Sequence, residues 1–164
     1  MKILIVYAGK TGTTEKCANL LAKKLDNVTI VNLLEQNPNV NDYDVIIVGS
    51  NIRFGKIHKK VSKFLHKWYS ELLLKNAAYF VCCAFVDKAE DHFKINFQDV
   101  ILSTAVTYDT FGGEMDLSKQ KGFDKFIVKM VSKTKDGQKE VKILEDRIES
   151  FAREVKKVKI WKKS

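Results

Sequence analysis

Short runs of β-branched and other apolar residues alternate along this chain with longer segments whose apolar residues recur every three or four positions. The runs are Lys2–Tyr7, Val28–Leu33, Asp44–Gly49, Ala77–Ala84 and Val100–Thr107. Among and after them, Cys17, Ala18, Leu21, Ala22 and Leu25 make one stripe. Ile57, Val61, Phe64, Leu65 and Trp68 make a second, and Leu144, Ile148, Phe151, Ala152 and Val155 a third. Stripes of that period are faces of helices. A run such as Val45-Ile46-Ile47-Val48, apolar at consecutive positions, suits a strand covered on both sides. Strand and helix in repetition wind a parallel sheet between two helical layers. The pattern predicts an α/β domain with a doubly wound, five-stranded parallel sheet. Only Asp87–Asp99 is ambiguous, since Phe93, Ile95 and Phe97 fit strand period as well as a short helix.

A chain of 164 residues is enough for one ordinary core and too short for two. It has no repeat or linker, and its one proline, Pro38, lies in the polar turn Gln36–Asp42, so residues 1–164 are expected to form a single domain. Sheets of this kind bind ligands beyond the carboxyl ends of their strands. The loops after Tyr7, Gly49, Ala84 and Thr107 are therefore the candidate site.

The first loop runs Gly9-Lys10-Thr11-Gly12-Thr13-Thr14-Glu15 straight into the first amphipathic segment. Glycines allow a tight turn and close backbone approach, threonines supply hydroxyl donors, and a helix start supplies unpaired amides with a positive dipole end. The combination suits a terminal phosphate dianion, although a threonine-rich helix cap is the plainer alternative. The spacing is neither that of a Walker loop nor Gly-x-Gly-x-x-Gly. Val6-Tyr7-Ala8-Gly9-Lys10-Thr11-Gly12-Thr13-Thr14 resembles the phosphate loop of the flavodoxin family, Ser/Thr-x-Thr-Gly-x-Thr, with Gly9 where a hydroxyl residue is usual and Lys10 beside it to supply charge. The resemblance implies a flavodoxin-like fold with strand order 2-1-3-4-5, bound flavin mononucleotide (FMN) and a redox function.

A second likeness starts at the third run. Val48-Gly49-Ser50-Asn51-Ile52-Arg53-Phe54-Gly55-Lys56-Ile57-His58 is similar to the Gly-Ala-Ser-Ile-Arg-Tyr-Gly-His segment of the flavodoxin-like, menaquinone-dependent protoporphyrinogen oxidases. Phe123–Met130, Lys139-Glu140-Val141 and Phe151-Ala152-Arg153-Glu154-Val155 resemble the same family in the same order. The departures are Asn51 between Ser50 and Ile52, Phe54 for tyrosine, and the segment Thr104–Lys121. The likeness implies an FMN-dependent oxidoreductase that passes electrons from a porphyrinogen through FMN to a quinone or redox-protein acceptor. A flavodoxin-like electron carrier without its own substrate is the alternative. A flat apolar ring needs a planar wall and amides at its polar rim. Ser50, Asn51, Ile52, Arg53, Phe54 and Gly55 are candidates for both, with Ala84, Phe85, Val86 and Asp87 where the resemblance implies a second wall. Arg53 and His58 are the candidate catalytic residues: Arg53 as a charge that favours reduced flavin or holds an acidic substrate, His58 for proton exchange. A surface ion pair and a solvated histidine are the alternative roles.

Lysine and arginine outnumber aspartate and glutamate 29 to 20. Residues 1–118 hold 14 basic and 13 acidic side chains and residues 119–164 hold 15 and 7, so the excess belongs to the last quarter. Lys121, Lys125, Lys129 and Lys133 make a ridge on a predicted helix, read either as a solvated face or as a surface for anionic lipid that gives access to quinone. Arg153, Lys156, Lys157, Lys159, Lys162 and Lys163 extend that field, with Trp161 as a candidate interfacial anchor. No nucleic-acid motif accompanies the charge, so nucleic acid is not an expected partner. Three cysteines, with Cys82 and Cys83 in an apolar run, do not suggest a disulfide framework, and no histidine has metal-ligand spacing. These features suggest a cytoplasmic protein, with peripheral contact at the inner face of the membrane as the extension.

Overall fold

The computed structural model describes residues 1–113 and 142–159. The lysine ridge Lys121–Lys133, the family-like stretches Phe123–Met130 and Lys139–Val141, and the tail with Trp161 lie outside the described residues. Five parallel strands form the sheet in the order β2-β1-β3-β5-β6: β1 (Ile3–Ala8), β2 (Val28–Asn32), β3 (Val45–Arg53), β5 (Asn76–Cys82) and β6 (Thr107–Thr110). A sixth, β4 (Lys56–Ile57), runs antiparallel to the end of β3. Leaving β4 aside, this is the expected order 2-1-3-4-5 with helices on both faces.

Side chains of successive strand residues point to opposite faces, and two cores follow from that alternation. On one side, Leu4, Val6, Ile46, Val48, Tyr79 and Val81 meet Val61, Phe64 and Leu65 of α2 (Lys59–Lys67), Leu72 of α3 (Tyr69–Leu74), Phe93 of α4 (Ala89–Asn96) and Ile101 of α5 (Asp99–Ser103). On the other, Ile3, Ile5, Val45, Ile47, Ala78 and Phe80 meet Cys17, Ala18 and Leu21 of α1 (Thr13–Ala22) and Ile148, Phe151 and Val155 of α6 (Glu145–Lys156). Phe80 stacks on Phe111 at 4.6 Å between ring centroids, and Phe151 meets Phe111 edge-on at 5.2 Å. Those contacts anchor the C-terminal helix against the sheet.

The structure corrects the sequence expectation in two places and decides an open one in a third. The fifth strand is not Val100–Thr107: residues 99–103 form α5, and the strand starts at Thr107. Only Ile101 of α5 is buried, and the Thr104 hydroxyl donates back to the Val100 carbonyl at 2.9 Å, which closes the helix. The true strand, Thr107-Tyr108-Asp109-Thr110, lies at the sheet edge and is half-exposed, so it lacks the apolar run of an interior strand. The ambiguous connection Asp87–Asp99 is helical, α4, preceded by a 3₁₀ turn at Val86–Lys88. Finally, Ser50–Gly55 is not a loop: β3 runs on through Arg53, and Phe54-Gly55 forms a two-residue hairpin turn into β4.

Candidate functional site

β1 and β3 are neighbours whose crossovers leave toward opposite faces, so a crevice opens beyond their carboxyl ends. Ala8 is in register with Ser50, and Asn51 with Cys82. The three candidate segments, Gly9–Gly12, the β3–β4 hairpin and Ala84–Asp87, therefore start from adjoining points on one edge of the sheet.

In the first segment Gly12 is left-handed (φ 89°) and turns the chain into α1. No side chain caps that helix. Its first-turn amides have no acceptor within the helix and carry the positive end of its dipole. Thr13 and Thr14 are buried, and the half-buried Thr11 has its Oγ1 3.5 Å from Thr13 Oγ1. Thr14 is 1% exposed, and its hydroxyl faces the Cys82 thiol yet has no hydrogen-bond partner of ordinary geometry among the described residues. An uncapped helix start above an orphaned hydroxyl is equipped to take a tetrahedral anion. Gly9 has a different meaning from the lost contact that the sequence suggests. A Cβ there would stand 2.5 Å from Thr14 Oγ1 and 2.9 Å from Thr14 Cβ, so glycine is what allows Thr14 to pack beneath the loop. Burial, then the negative charge of Glu15, push the Tyr7 phenol up to about 12, so Tyr7 stays neutral.

The hairpin is the second segment. Phe54 (φ 50°) and Gly55 (φ 74°) are both left-handed, the pairing a two-residue turn of this hand needs. Glycine adopts it freely, whereas a bulky residue there costs about 1–2 kcal/mol. Such strain persists where the surroundings over-determine it. The Asn96 amide, at the end of α4, provides the constraint. It accepts from Ile57 N at 3.1 Å and donates to the Gly55 and His92 carbonyls at 2.8 Å each. Ser50 Oγ accepts from His58 N at 2.9 Å and donates to the Asn51 carbonyl at 3.0 Å, which ties the foot of the hairpin. Phe54 is left 67% exposed, with the Arg53 guanidinium 5.3 Å from its ring centroid. Asn51 Oδ1, on β3, is buried without a hydrogen-bond partner among the described residues.

His58 has a structural task. Its Nδ1 accepts from Lys60 N at 3.2 Å and so caps α2. Burial, then the nearby Lys60 charge, hold its pKa below the usual histidine value. The ring is neutral at pH 7 with its proton on Nε2.

The third segment packs against the stretch that follows Thr107, the fourth of the candidate loops, in which the sequence names no individual site residue. Cys83 N donates to the Gly112 carbonyl at 2.8 Å, and the Cys83 thiol lies 3.3 Å from Thr110 Oγ1 and 3.5 Å from the Phe85 carbonyl. Burial pushes the Cys83 thiol up, against the Thr110 hydrogen bond and the Arg147 charge, so it is no ready nucleophile. Ala84, Phe85 and Val86 are half-buried and Asp87 is exposed, while Lys88 Nζ stands 5.7 Å from the Phe85 ring centroid. The ion pair Arg147–Asp109, 2.7 Å, holds α6 to β6 beneath Gly112. Asn96 and Gly112 were illegible because their partners lie tens of residues away. Their only local signals are an asparagine closing a helix and a glycine pair after a strand.

A family model described as a flavodoxin domain matches residues 4–142. The chain is 26% identical to protoporphyrinogen IX dehydrogenase [quinone] of Escherichia coli K12 over 176 aligned residues, which cover 94% of each chain. Among solved structures, oxidised flavodoxin 1 of Bacillus cereus superposes with a TM-score of 0.55 at 18% identity, covering 97% of this chain and all of that one. Fusobacterium nucleatum flavodoxin bound to flavin mononucleotide superposes at 0.53 and 12% identity, covering 95% and 97%. At such identities the structures establish the shared fold.

Proposed function

The chain belongs to the flavodoxin domain family, and from that premise we propose that it binds FMN and works as an FMN-dependent oxidoreductase. The carrying observation is the orphaned Thr14 hydroxyl beneath the uncapped start of α1: a buried polar group without a partner is an unmet demand that a phosphate oxygen satisfies. In this reading the first-turn amides of α1 with Thr11, Thr13 and Thr14 hold the phosphate. Gly9, Lys10 and Gly12 shape and charge its loop. The flavin, once bound, supplies the exchange of electrons and protons that no side chain of the site performs.

The hairpin and the third segment take the ring. Phe54 and Phe85 supply apolar surface, and the backbone from Ser50 to Gly55 and from Ala84 to Asp87 supplies polar rims. Arg53 brings a positive charge to the hairpin side of the ring and favours negative charge there. His58 Nε2 is the nitrogen free of the cap, so proton exchange at the site would use it and leave the α2 cap intact.

For substrate and acceptor we propose a porphyrinogen and a quinone. The support is the Ile52-Arg53-Phe54-Gly55 hairpin together with full-length similarity to the Escherichia coli dehydrogenase. Anaerobic reduction of the FMN-loaded protein by protoporphyrinogen, followed by reoxidation with menadione, tests the reading. Turnover with both is the expected result, and a flavin that neither reagent touches would refute it. A flavin-based carrier between proteins is the second reading, favoured by the exposed Lys59, Lys60, Lys63 and Lys67 of α2, which suit an acidic partner. Absence of protoporphyrinogen turnover with intact flavin would select it. Among the described residues no helix is long and apolar enough to cross a membrane.

A further inference from the structure

The near balance of charge over residues 1–118 conceals a segregation. Between Asp44 and Glu71 the sequence holds six lysines and arginines and no acidic residue, while the remainder of residues 1–118 holds 8 basic and 13 acidic. The structure places this acid-free segment on the hairpin and α2. Lys59, Lys60, Lys63 and Lys67 are all exposed and, at 3.6 residues per turn, fall within an arc of about 100° opposite the buried Val61, Phe64 and Leu65. Lys56 is exposed on β4 just before them. None of these five lysines enters an ion pair among the described residues.

Two features separate α2 from an ordinary solvated face. Every other described helix has an acidic residue in its first turn, where the helix dipole favours one; α2 has none and carries Lys59 and Lys60 there instead, where the dipole opposes cations. The local stability of the helix is thus set aside in favour of a concentrated positive field. Beside the lysine face, a groove of about 220 Å³ runs between α2–α3 and α4–α5, lined in part by Ser62, Leu65, Tyr69, Ile95, Gln98 and Ile101. Ile95 is 58% exposed there. Its lining mixes apolar side chains with the polar Ser62, His66, Asn96 and Gln98, and an indentation of that make-up next to a cationic bank suits the contoured, partly polar surface of a protein partner better than a flat lipid surface. Asn96 joins the groove to the hairpin, since it lines the one and clamps the other.

We propose that the lysine face of α2 and the adjoining groove form a docking surface for an acidic electron-transfer protein, which is thereby set against the flavin-site hairpin. The redox nature of the partner rests on the FMN reading; the surface and its charge preference do not. Charge complementarity of this kind steers encounter and makes association depend on ionic strength.

The test is a titration of the apoprotein and the FMN-loaded protein with a plant-type two-iron ferredoxin, an acidic redox protein, at low and at high ionic strength. Backbone NMR shifts locate the contact. The proposal expects perturbations on α2, β4 and the groove in both forms, with binding lost at high salt. Lys59→Glu/Lys63→Glu is expected to weaken binding about tenfold or more. Lys156→Glu/Lys157→Glu on α6 should leave it unchanged. Lys59→Gln/Lys63→Gln guards against a misfolded reversal variant and should give an intermediate loss. Binding that ignores the α2 variants, or no ferredoxin binding at low salt, would overturn the proposal. So would binding through α2 to vesicles of phosphatidylserine and phosphatidylcholine but not to ferredoxin, which would assign the face to lipid. Ferredoxin binding to a chain that takes no FMN would leave the surface standing and remove the proposed function; FMN uptake without ferredoxin binding would do the reverse.

Discussion

Replacing Asn96 by alanine should loosen the candidate site from outside it. The side chain makes three hydrogen bonds, to Ile57 N, the Gly55 carbonyl and the His92 carbonyl, all in partly buried surroundings. At a net of roughly 0.5–1.5 kcal/mol each, with a further penalty for any group left unpaired, Asn96→Ala is expected to lower stability by about 2–4 kcal/mol. The same bonds hold Phe54 in a left-handed conformation that costs about 1–2 kcal/mol. Without them that strain is free to relax, and the binding-ready hairpin falls to about a tenth of the population. Affinity for FMN drops by the same factor, roughly tenfold, because ligand must then restore the rarer state. Urea unfolding of the apoprotein gives the stability change. Hydrogen exchange at the Ile57 amide should accelerate beyond the global loss, and FMN titration gives the affinity. A stability loss below about 0.5 kcal/mol with unchanged FMN affinity would refute the reasoning.

Three other substitutions probe separate parts. Thr14→Val keeps the shape and removes the orphaned hydroxyl, so the apoprotein should be as stable or more stable by up to about 1 kcal/mol while FMN affinity falls about tenfold; calorimetry and titration check the two halves. Gly9→Ser restores the hydroxyl usual in the family loop, but its Cβ would collide with Thr14, so it should destabilise by about 1–3 kcal/mol without tightening FMN. The His58 cap brings a pH dependence. The folded pKa lies below the usual 6.5, so the unfolded chain binds the proton more readily and stability falls as pH drops below 6.5. The half-buried His92, also lowered, adds to the same slope. His58→Asn keeps an acceptor at the cap and should flatten that slope in part, whereas His58→Ala should cost about 1 kcal/mol at pH 8; unfolding curves at pH 5.5, 6.5 and 8 measure both.

What the sequence discloses follows the burial of each element. β1, β3 and β5 lie inside the sheet and are buried along nearly their whole length, so their apolar runs stand out, and α1, α2 and α6 show clean stripes for the cores they cover. β6 sits at an edge and needs no apolar run, so the sequence pattern ends the strand at Thr107, where β6 begins, and the neighbouring Val100-Ile101-Leu102 imitates a strand. The proposed phosphate loop is legible because its chemistry is local to seven residues. The hairpin is not, because phenylalanine is a poor residue for a left-handed turn, and the clamp from Asn96 onto Gly55 and Ile57 comes from about forty residues away. The charge was visible as a total, but its concentration on one face of α2 emerges only when the chain between Asp44 and Glu71 is seen as a hairpin and a helix.

The central claim is that the loop between β1 and α1 is a phosphate cradle for a flavin nucleotide. Its most direct test compares the affinities of the apoprotein for FMN and for riboflavin, which differ only in the phosphate. Two or more charge-assisted bonds from the α1 amides and Thr14 predict that FMN binds tighter by on the order of 100-fold. Equal affinities, or no binding of FMN at all, would contradict the account.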